Sequence, residues 1–318
     1  MQVVGSHVEP GIRCGGDAAR EHMLDGTVEI EGFEWEFVAD EGAADAWDCG
    51  FAARVRAYVR GATHISIPAF PNRKFRLAYI FVNSKAGIET PRQLEGRRVG
   101  IMQWDNTAGV WARGALQHYY GVDLRRIHWV AARLTKEGVA GGVRIEKIAG
   151  TGDVDHLLNR LLIEGKIDAV IGPNLLPSIA ARDPRTRRLF RDYRTEEQNY
   201  FRRTGIFPTS HIVTLKQEFV ERHPTAPVAL LKAFRKSRDV AFERLEGSDP
   251  QVVTYSWIAA AVAEQRELMG ENYWAYNIEN NRAVLEAMTQ YAYEQGLSPA
   301  RVDYMRFFHP EAAELAGV

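Results

Sequence analysis

Residues 94–120, LEGRRVGIMQWDNTAGVWARGALQHYY, decide the fold. Arg98 to Met102 is apolar enough for a buried strand, and Gln103 to Asn106 is a short polar loop. From Thr107 the apolar period becomes helical, with Ala108, Trp111, Ala112, Ala115, Leu116 and Tyr119 on one face. Asp105 or Asn106 is placed to cap that helix. A strand that feeds a helix through a polar loop turns free backbone N–H groups and a positive dipole end towards whatever lies beyond. In open α/β sheets that edge is where ligands bind. The stretch reads as an anion-binding loop suited to a carboxylate, or as an ordinary strand-to-helix connection.

Outward from this unit the alternation continues. Ahead of it, Gly11–Gly15, Ile30–Val38, Asp48–Gly50, Ile65–Ala69 and Tyr79–Asn83 read as strands, with helices over Asp17–Met23 and from Gly50 through Arg60. Behind it come a strand at Val143–Ile148, an amphipathic helix at Asp153–Gly165 and a short buried strand at Ile167–Ile171. Asp183–Arg203, rich in arginine, reads as a surface helix and linker, and His211–Leu215 as a strand. The last third is mostly helical, over Pro227–Leu245, Pro250–Met269 and Glu279–Gly296. Strand–helix alternation implies parallel sheet. The expected fold class is α/β, with two lobes and a ligand cleft between them. Lobe 1 is expected to comprise residues 1–99 and 204–318, and lobe 2 an insertion at 100–203.

Composition narrows the function. A chain of 318 residues with 46% hydrophobic and 25% charged residues can bury a substantial core. A formal net charge of −1 with interspersed signs argues against nucleic acid as the partner. No run of 18 apolar residues offers a membrane span. The first residues lack a basic segment and a long apolar core, so no export signal is read and a cytoplasmic location is expected. Two cysteines, Cys14 and Cys49, are too few for a disulfide framework or a zinc site.

Several motifs recur in the order and spacing of a known family. They include Cys14-Gly15, Leu24-Asp25-Gly26, Ile67-Pro68, Phe70-Pro71, Arg73 and Phe75-Arg76. The opening stretch adds Arg98-Val99-Gly100, Thr107-Ala108, Val110-Trp111 and Arg113-Gly114. Further on come Arg203 to Pro208, His211, Arg222-His223-Pro224, Asn281-Arg282 and Glu294 to Leu297. Over nearly its whole length the chain resembles the 4,5-dihydroxyphthalate decarboxylases, a family similar to solute-binding proteins of the type II periplasmic-binding-protein fold. Where that family has Asp-Tyr-Asp-Arg after Cys-Gly, this chain has Gly16, Asp17, Ala18 and Ala19. Its loop before Thr107 and its Gly172-Pro173-Asn174 also depart from the family's usual residues.

The resemblance implies removal of carbon dioxide from a hydroxylated aromatic acid. That chemistry needs a cationic clamp for a retained carboxylate, a base near neutral pKa and a proton donor. No redox cofactor is demanded; a divalent metal could hold a catecholate, though no His-rich spacing announces one. Arg73 and Arg76, three residues apart, are the candidate clamp, or else a solvated basic turn. His211 is the candidate acid/base, or a structural histidine. Asp48 is a second acid/base candidate, or a cap for the next helix. Trp104 could stack on an aromatic ring or cover the core. Asn106 and Thr107 at the helix start and Asn174 after Ile171 complete the expected substrate contacts. Small-anion binding without turnover, and another lyase or hydrolase reaction, are the alternatives. A small-molecule carboxylate is the expected partner, and a homo-oligomer the expected assembly.

Overall fold

The computed structural model describes residues 9–15, 23, 25–38, 42–133, 138–148, 152–246 and 255–315, with backbone alone at 9–15 and 138–140. The expected helix over Asp17–Met23 lies almost wholly outside the described residues, as does the start of that over Pro250–Met269. The first lobe opens with β1 (Glu9–Gly15), β2 (Phe33–Phe37), β3 (Ala46–Gly50), α1 (Phe51–Val59) and β4 (His64–Ile67). The chain then passes to the second lobe: β5 (Ile80–Asn83), β6 (Arg98–Ile101), α2 (Thr107–His118), β7 (His128–Ala131), β8 (Gly138–Ala140) and β9 (Val143–Lys147). There follow α3 (Val154–Ile163), β10 (Ala169–Ile171), α4 (Pro177–Ala180), β11 (Thr186–Arg188) and α5 (Tyr193–Thr204). The return brings β12 (His211–Lys216), α6 (Gln217–Arg222), α7 (Ala226–Glu246), α8 (Ile258–Met269), α9 (Arg282–Glu294) and α10 (Pro310–Glu314).

Two sheets result. The first has the order β2-β1-β3-β12-β4, with β1 parallel to β2 and β3, and β12 antiparallel to both its neighbours. The second has the order β11-β5-β10-β6-β7-β9-β8, with a parallel centre running β10-β6-β7-β9. The chain crosses between the sheets twice, as expected of a two-lobed α/β protein. The crossovers fall elsewhere than the sequence pattern suggests. β5 pairs antiparallel with β10 and β11, so the second sheet begins at Ile80 and not near residue 100. It ends at Arg188, within the stretch read as surface helix and linker. A four-residue buried strand carries no mark of which sheet it joins.

Helix chemistry follows local rules. Asp153 caps α3 by accepting from His156 N at 2.9 Å, and Val154, Leu157, Leu158 and Leu162 are buried. Each fully buried leucine there contributes roughly 1.5–3 kcal/mol. α2 differs from its sequence pattern, because every residue from Thr107 to Leu116 is buried. One face packs on the second sheet, and α9 from the C-terminal third covers another. Gly114 makes that packing possible: a Cβ there would lie 2.1 Å from the Tyr291 ring. No helix among the described residues is long and apolar enough to cross a membrane.

Candidate functional site

The site lies where the two sheets present their connecting loops to each other. In lobe 1, β3 runs directly into α1, whose N-cap is Gly50 with no side-chain cap. Its first amides find other acceptors. Phe51 N donates to Ser210 O at 2.9 Å, and Ala52 N donates to Thr107 Oγ1 at 3.2 Å across to the other lobe. Gly50 is required by that approach, since a Cβ there would stand 2.9 Å from Thr107 Oγ1. In lobe 2, Asn106 caps α2 by accepting from Gly109 N at 3.3 Å. Asp105 forms an ion pair with Arg56 of α1. Asn106 and Thr107 therefore stand at the lobe junction, and two helix N-termini meet there.

Asp48 and His211 come together through strand register. β12 pairs antiparallel with β3, with His211 opposite Gly50 and Val213 opposite Asp48. Side chains two apart share a face, so the two groups are diagonal neighbours. His211 Nδ1 lies 2.6 Å from Asp48 Oδ2. The Asp48 side chain is 3% exposed and that of His211 34%, so the carboxylate is the buried support and the imidazole reaches outward. Asp48 is not a helix cap. An Nδ1–H donated to Asp48 leaves Nε2 with its lone pair.

Arg73 and Arg76 do not form a fork, which corrects the expected pairing. Residues three apart align on a helix, but Arg73 forms an isolated bridge with Thr209 and Arg76 is the N-cap of a 3-10 turn at Leu77–Tyr79. Arg73 donates to Phe207 O at 3.3 Å, to Ala275 O at 3.2 Å and to Asn281 Oδ1, all within lobe 1. It ties the C-terminal third to the β12 approach. Arg76 sits between the lobes. Its Nη1 donates to Pro173 O at 3.4 Å and its Nη2 to Ser210 Oγ, while its buried Nε has no partner among the described residues. Burial pushes the Arg76 pKa down to about 10, against the opposing pull of Tyr79 and Glu197, so it remains cationic at neutral pH.

Two further expectations change. Trp104 does not face the cleft as a stacking surface. It is 6% exposed, donates from Nε1 to Gln295 O at 2.8 Å, meets Trp129 edge-on, and carries the Arg113 guanidinium 4.0 Å above its ring. On its other side it walls a cavity of about 650 Å³ shared with Gln117, Arg125 and Tyr293. Asn174 is exposed beyond β10 and donates to Asp155 Oδ2 at 2.8 Å, next to the Pro173 carbonyl that receives Arg76. His309 stands at the N-cap of α10 and donates its amide to Ser66 O. Cys49 lies with its Sγ 3.4 Å from Thr214 Oγ1. Among the described residues no group of three or more His, Cys, Asp or Glu is arranged to hold a metal ion.

Ser210 and Glu197 escaped the sequence reading. Ser210 joins the Arg76 guanidinium to the α1 N-terminus. Its signal was only its place beside His211. Glu197, in α5, accepts from Ala78 N at 2.9 Å, and burial raises its carboxyl to about 7. Nothing in YRTEEQNYFRRT separates it from Glu196.

Two α/β lobes and two crossovers give the type II periplasmic-binding-protein fold, and a polar arc runs from Asp48 through His211, Ser210 and Arg76 to Pro173 where the lobes meet. Solved structures agree on the fold. The periplasmic aliphatic sulphonate binding protein SsuA from Escherichia coli matches with a TM-score of 0.56 at 14% identity, over 94% of this chain and 97% of that one. The desulfurization enzyme DSZB matches at 0.52 and 14% identity, over 96% of each chain. No family model matches. The 4,5-dihydroxyphthalate decarboxylase of Comamonas testosteroni is 30% identical over 97% of this chain and 98% of its own length. That of Pseudomonas putida is 27% identical over 57% of this chain and 76% of its own length. The chain belongs to the 4,5-dihydroxyphthalate decarboxylase family.

Proposed function

We propose that this protein is a cytoplasmic carboxy-lyase that removes carbon dioxide from a hydroxylated aromatic acid of the phthalate type. One observation carries the reading. An acid/base pair, Asp48–His211, and a buried cation, Arg76, are linked through adjacent Ser210 at the junction of the lobes. Arg76 holds the carboxylate that is retained. Thr107 assists, because its Oγ1 already accepts from Ala52 N and its own O–H is left to donate. The names of the relatives support the phthalate class.

Direct loss of carbon dioxide from an aromatic ring would leave an sp² carbanion, which is too costly. A hydroxyl para to the departing carboxylate opens a cheaper route. His211 Nε2 removes the phenolic proton, and a proton from solvent adds to the ring carbon bearing the carboxylate. The C–C bond then breaks, its electron pair restores aromaticity, and carbon dioxide leaves. The phenolate so formed takes back the proton held by His211. The sum is one carboxylate and one proton converted to one ring C–H and one carbon dioxide, which calls for no redox partner. Asp48 orients the imidazole and stabilises its cationic form.

Binding without turnover is the second reading. The lobe-to-lobe contacts Thr107–Ala52 and Asp105–Arg56 favour it, since they suit a cleft that closes on a solute. Incubation with 4,5-dihydroxyphthalate, following carbon dioxide and the ultraviolet spectrum together, separates the two. The expected result is one carbon dioxide per acid consumed. Tight binding with no carbon dioxide from any hydroxylated aromatic acid overturns the lyase reading in favour of the second.

A further inference from the structure

We propose that Glu197 is the proton-linked partner of Arg76: when Arg76 captures an anionic ligand, the Glu197 carboxyl takes up a proton. The ligand's class rests on the reading above. The linkage rests on how the first crossover is built.

Arg76 is followed at once by the 3-10 turn Leu77–Tyr79, on which the chain enters lobe 2. The peptide groups of Ala78 are held from both sides by the far end of the second sheet and the helix after it. Ala78 N donates to Glu197 Oε1 at 2.9 Å, and Ala78 O accepts from Arg188 Nε at 3.1 Å. Glu197 is therefore anchored two residues on from Arg76, at the joint of the two lobes, and the two charges act on each other. Burial raises its carboxyl to about 7, and the amides of Ala78 and Leu77 with the charges of Arg188 and Arg76 limit the rise.

The other groups about it do not remove this balance. Tyr120, at the end of α2, donates its own hydroxyl to Glu196 Oε2 at 2.9 Å. Glu264 of α8 is engaged by Arg194 and Gln198. Arg76 donates to two neutral oxygens and forms no ion pair among the described residues. Glu197 is thus the carboxyl whose negative charge acts on it.

A ligand carboxylate at Arg76 changes the balance in one direction. It neutralises the cation that favoured ionised Glu197, and it adds a negative charge nearby. Both effects raise the Glu197 pKa. From a starting value of about 7, a rise of about one unit takes up roughly 0.4 proton at pH 7. Affinity for a carboxylate then falls as pH rises through neutrality. A glutamine would cap Ala78 as well as a glutamate does. Only a carboxyl supplies the proton linkage.

The test uses phthalate, which carries the carboxylates but lacks the hydroxyl that the reaction needs. Titration calorimetry of the wild type and Glu197→Gln at pH 7, in two buffers of different ionisation enthalpy, counts the protons taken up. The wild type is expected to take up roughly 0.4 proton more than the variant. The difference should vanish at pH 5, where Glu197 is already protonated. Any contribution from His211 is common to both proteins. Infrared difference spectra of the wild type should also show a protonated-carboxyl stretch growing as phthalate is added, a readout that does not depend on the variant folding. Equal proton uptake in both proteins, or no growth of that stretch on binding, overturns the inference and leaves the lyase reading intact. Glu197-dependent uptake without carbon dioxide from 4,5-dihydroxyphthalate supports the inference and overturns the reaction. Binding of neither acid overturns both.

Discussion

Two buried arginines, Arg113 within residues 94–120 and Arg76 ahead of them, differ in their surroundings. Arg113 is 0% exposed, lies over Trp104, and donates to Trp104 O and Gln295 Oε1. Gln295 closes the ring of contacts by donating to Val110 O and accepting from Trp104 Nε1 through its carbonyl. Desolvation alone lowers the Arg113 pKa, to about 9. Arg76 is buried nearly as deeply, but among the described residues it bonds only a backbone carbonyl and the Ser210 hydroxyl, and burial pushes the carboxyl of Glu197, held at Ala78, up to about 7. The first arginine braces a loop from behind. The second stands where the two lobes meet, the place proposed above for the ligand carboxylate. Burial alone does not mark a binding cation; what differs is the setting, a stacked indole and an amide for Arg113 against a serine next to the Asp48–His211 pair for Arg76.

Breaking the brace should have the largest effect. Arg113→Ala removes packing over Trp104 and leaves Gln295 and the Trp104 carbonyl unsatisfied, so stability should fall by about 3 kcal/mol or more. Chemical denaturation reads this, and the folded fraction should still bind phthalate within about twofold of the wild type. If affinity is lost while stability is kept, the two arginine sites have been assigned the wrong way round.

The arc is tested next. His211→Ala should lower turnover by roughly a hundredfold or more, the usual size of a lost acid/base contribution, with little change in phthalate affinity. Unchanged turnover in a folded protein would make His211 structural. Arg76→Ala should weaken phthalate binding by about 1.5–3 kcal/mol, the range for a lost charged hydrogen bond, with a smaller loss of stability than Arg113→Ala. Calorimetry beside thermal melts gives both quantities. The smallest change is expected from Thr107→Val, which deletes one neutral hydrogen bond between the lobes. A loss of about 1 kcal/mol in affinity and none in catalytic rate should follow. A rate effect instead would move Thr107 from holding the ligand to the chemistry.

Much of the fold was legible because local rules govern it. The switch from strand to helix at Thr107, the Asn106 cap and the apolar face of α3 come from periodicity and side-chain capping. The family motifs carried the two-lobed arrangement and drew attention to His211 and Arg76. What failed to show was the destination of each group. The i,i+3 spacing of Arg73 and Arg76 would mean a common direction only on a helix, and the backbone there is not helical, with Arg73 bridged to Thr209. Trp104 reads equally well as a stacking or a covering side chain, and α9, distant in sequence, decides for covering.

The sequence by itself determined the alternation of strands and helices, the helix start at the lobe junction, the family, and the residue types that suit a carboxylate and a proton. Tertiary structure alone decided that Asp48 supports His211, that Arg76 and not Arg73 reaches the junction, and that Glu197 is anchored at Ala78, two residues on from Arg76. The physical reason is range. Capping and amphipathic burial act over a few residues, whereas the pairings Asp48–His211, Arg76–Ser210 and Ala78–Glu197 join groups more than a hundred residues apart through strand register and chain crossovers. Burial by distant segments then sets which charges persist, and no local pattern encodes that.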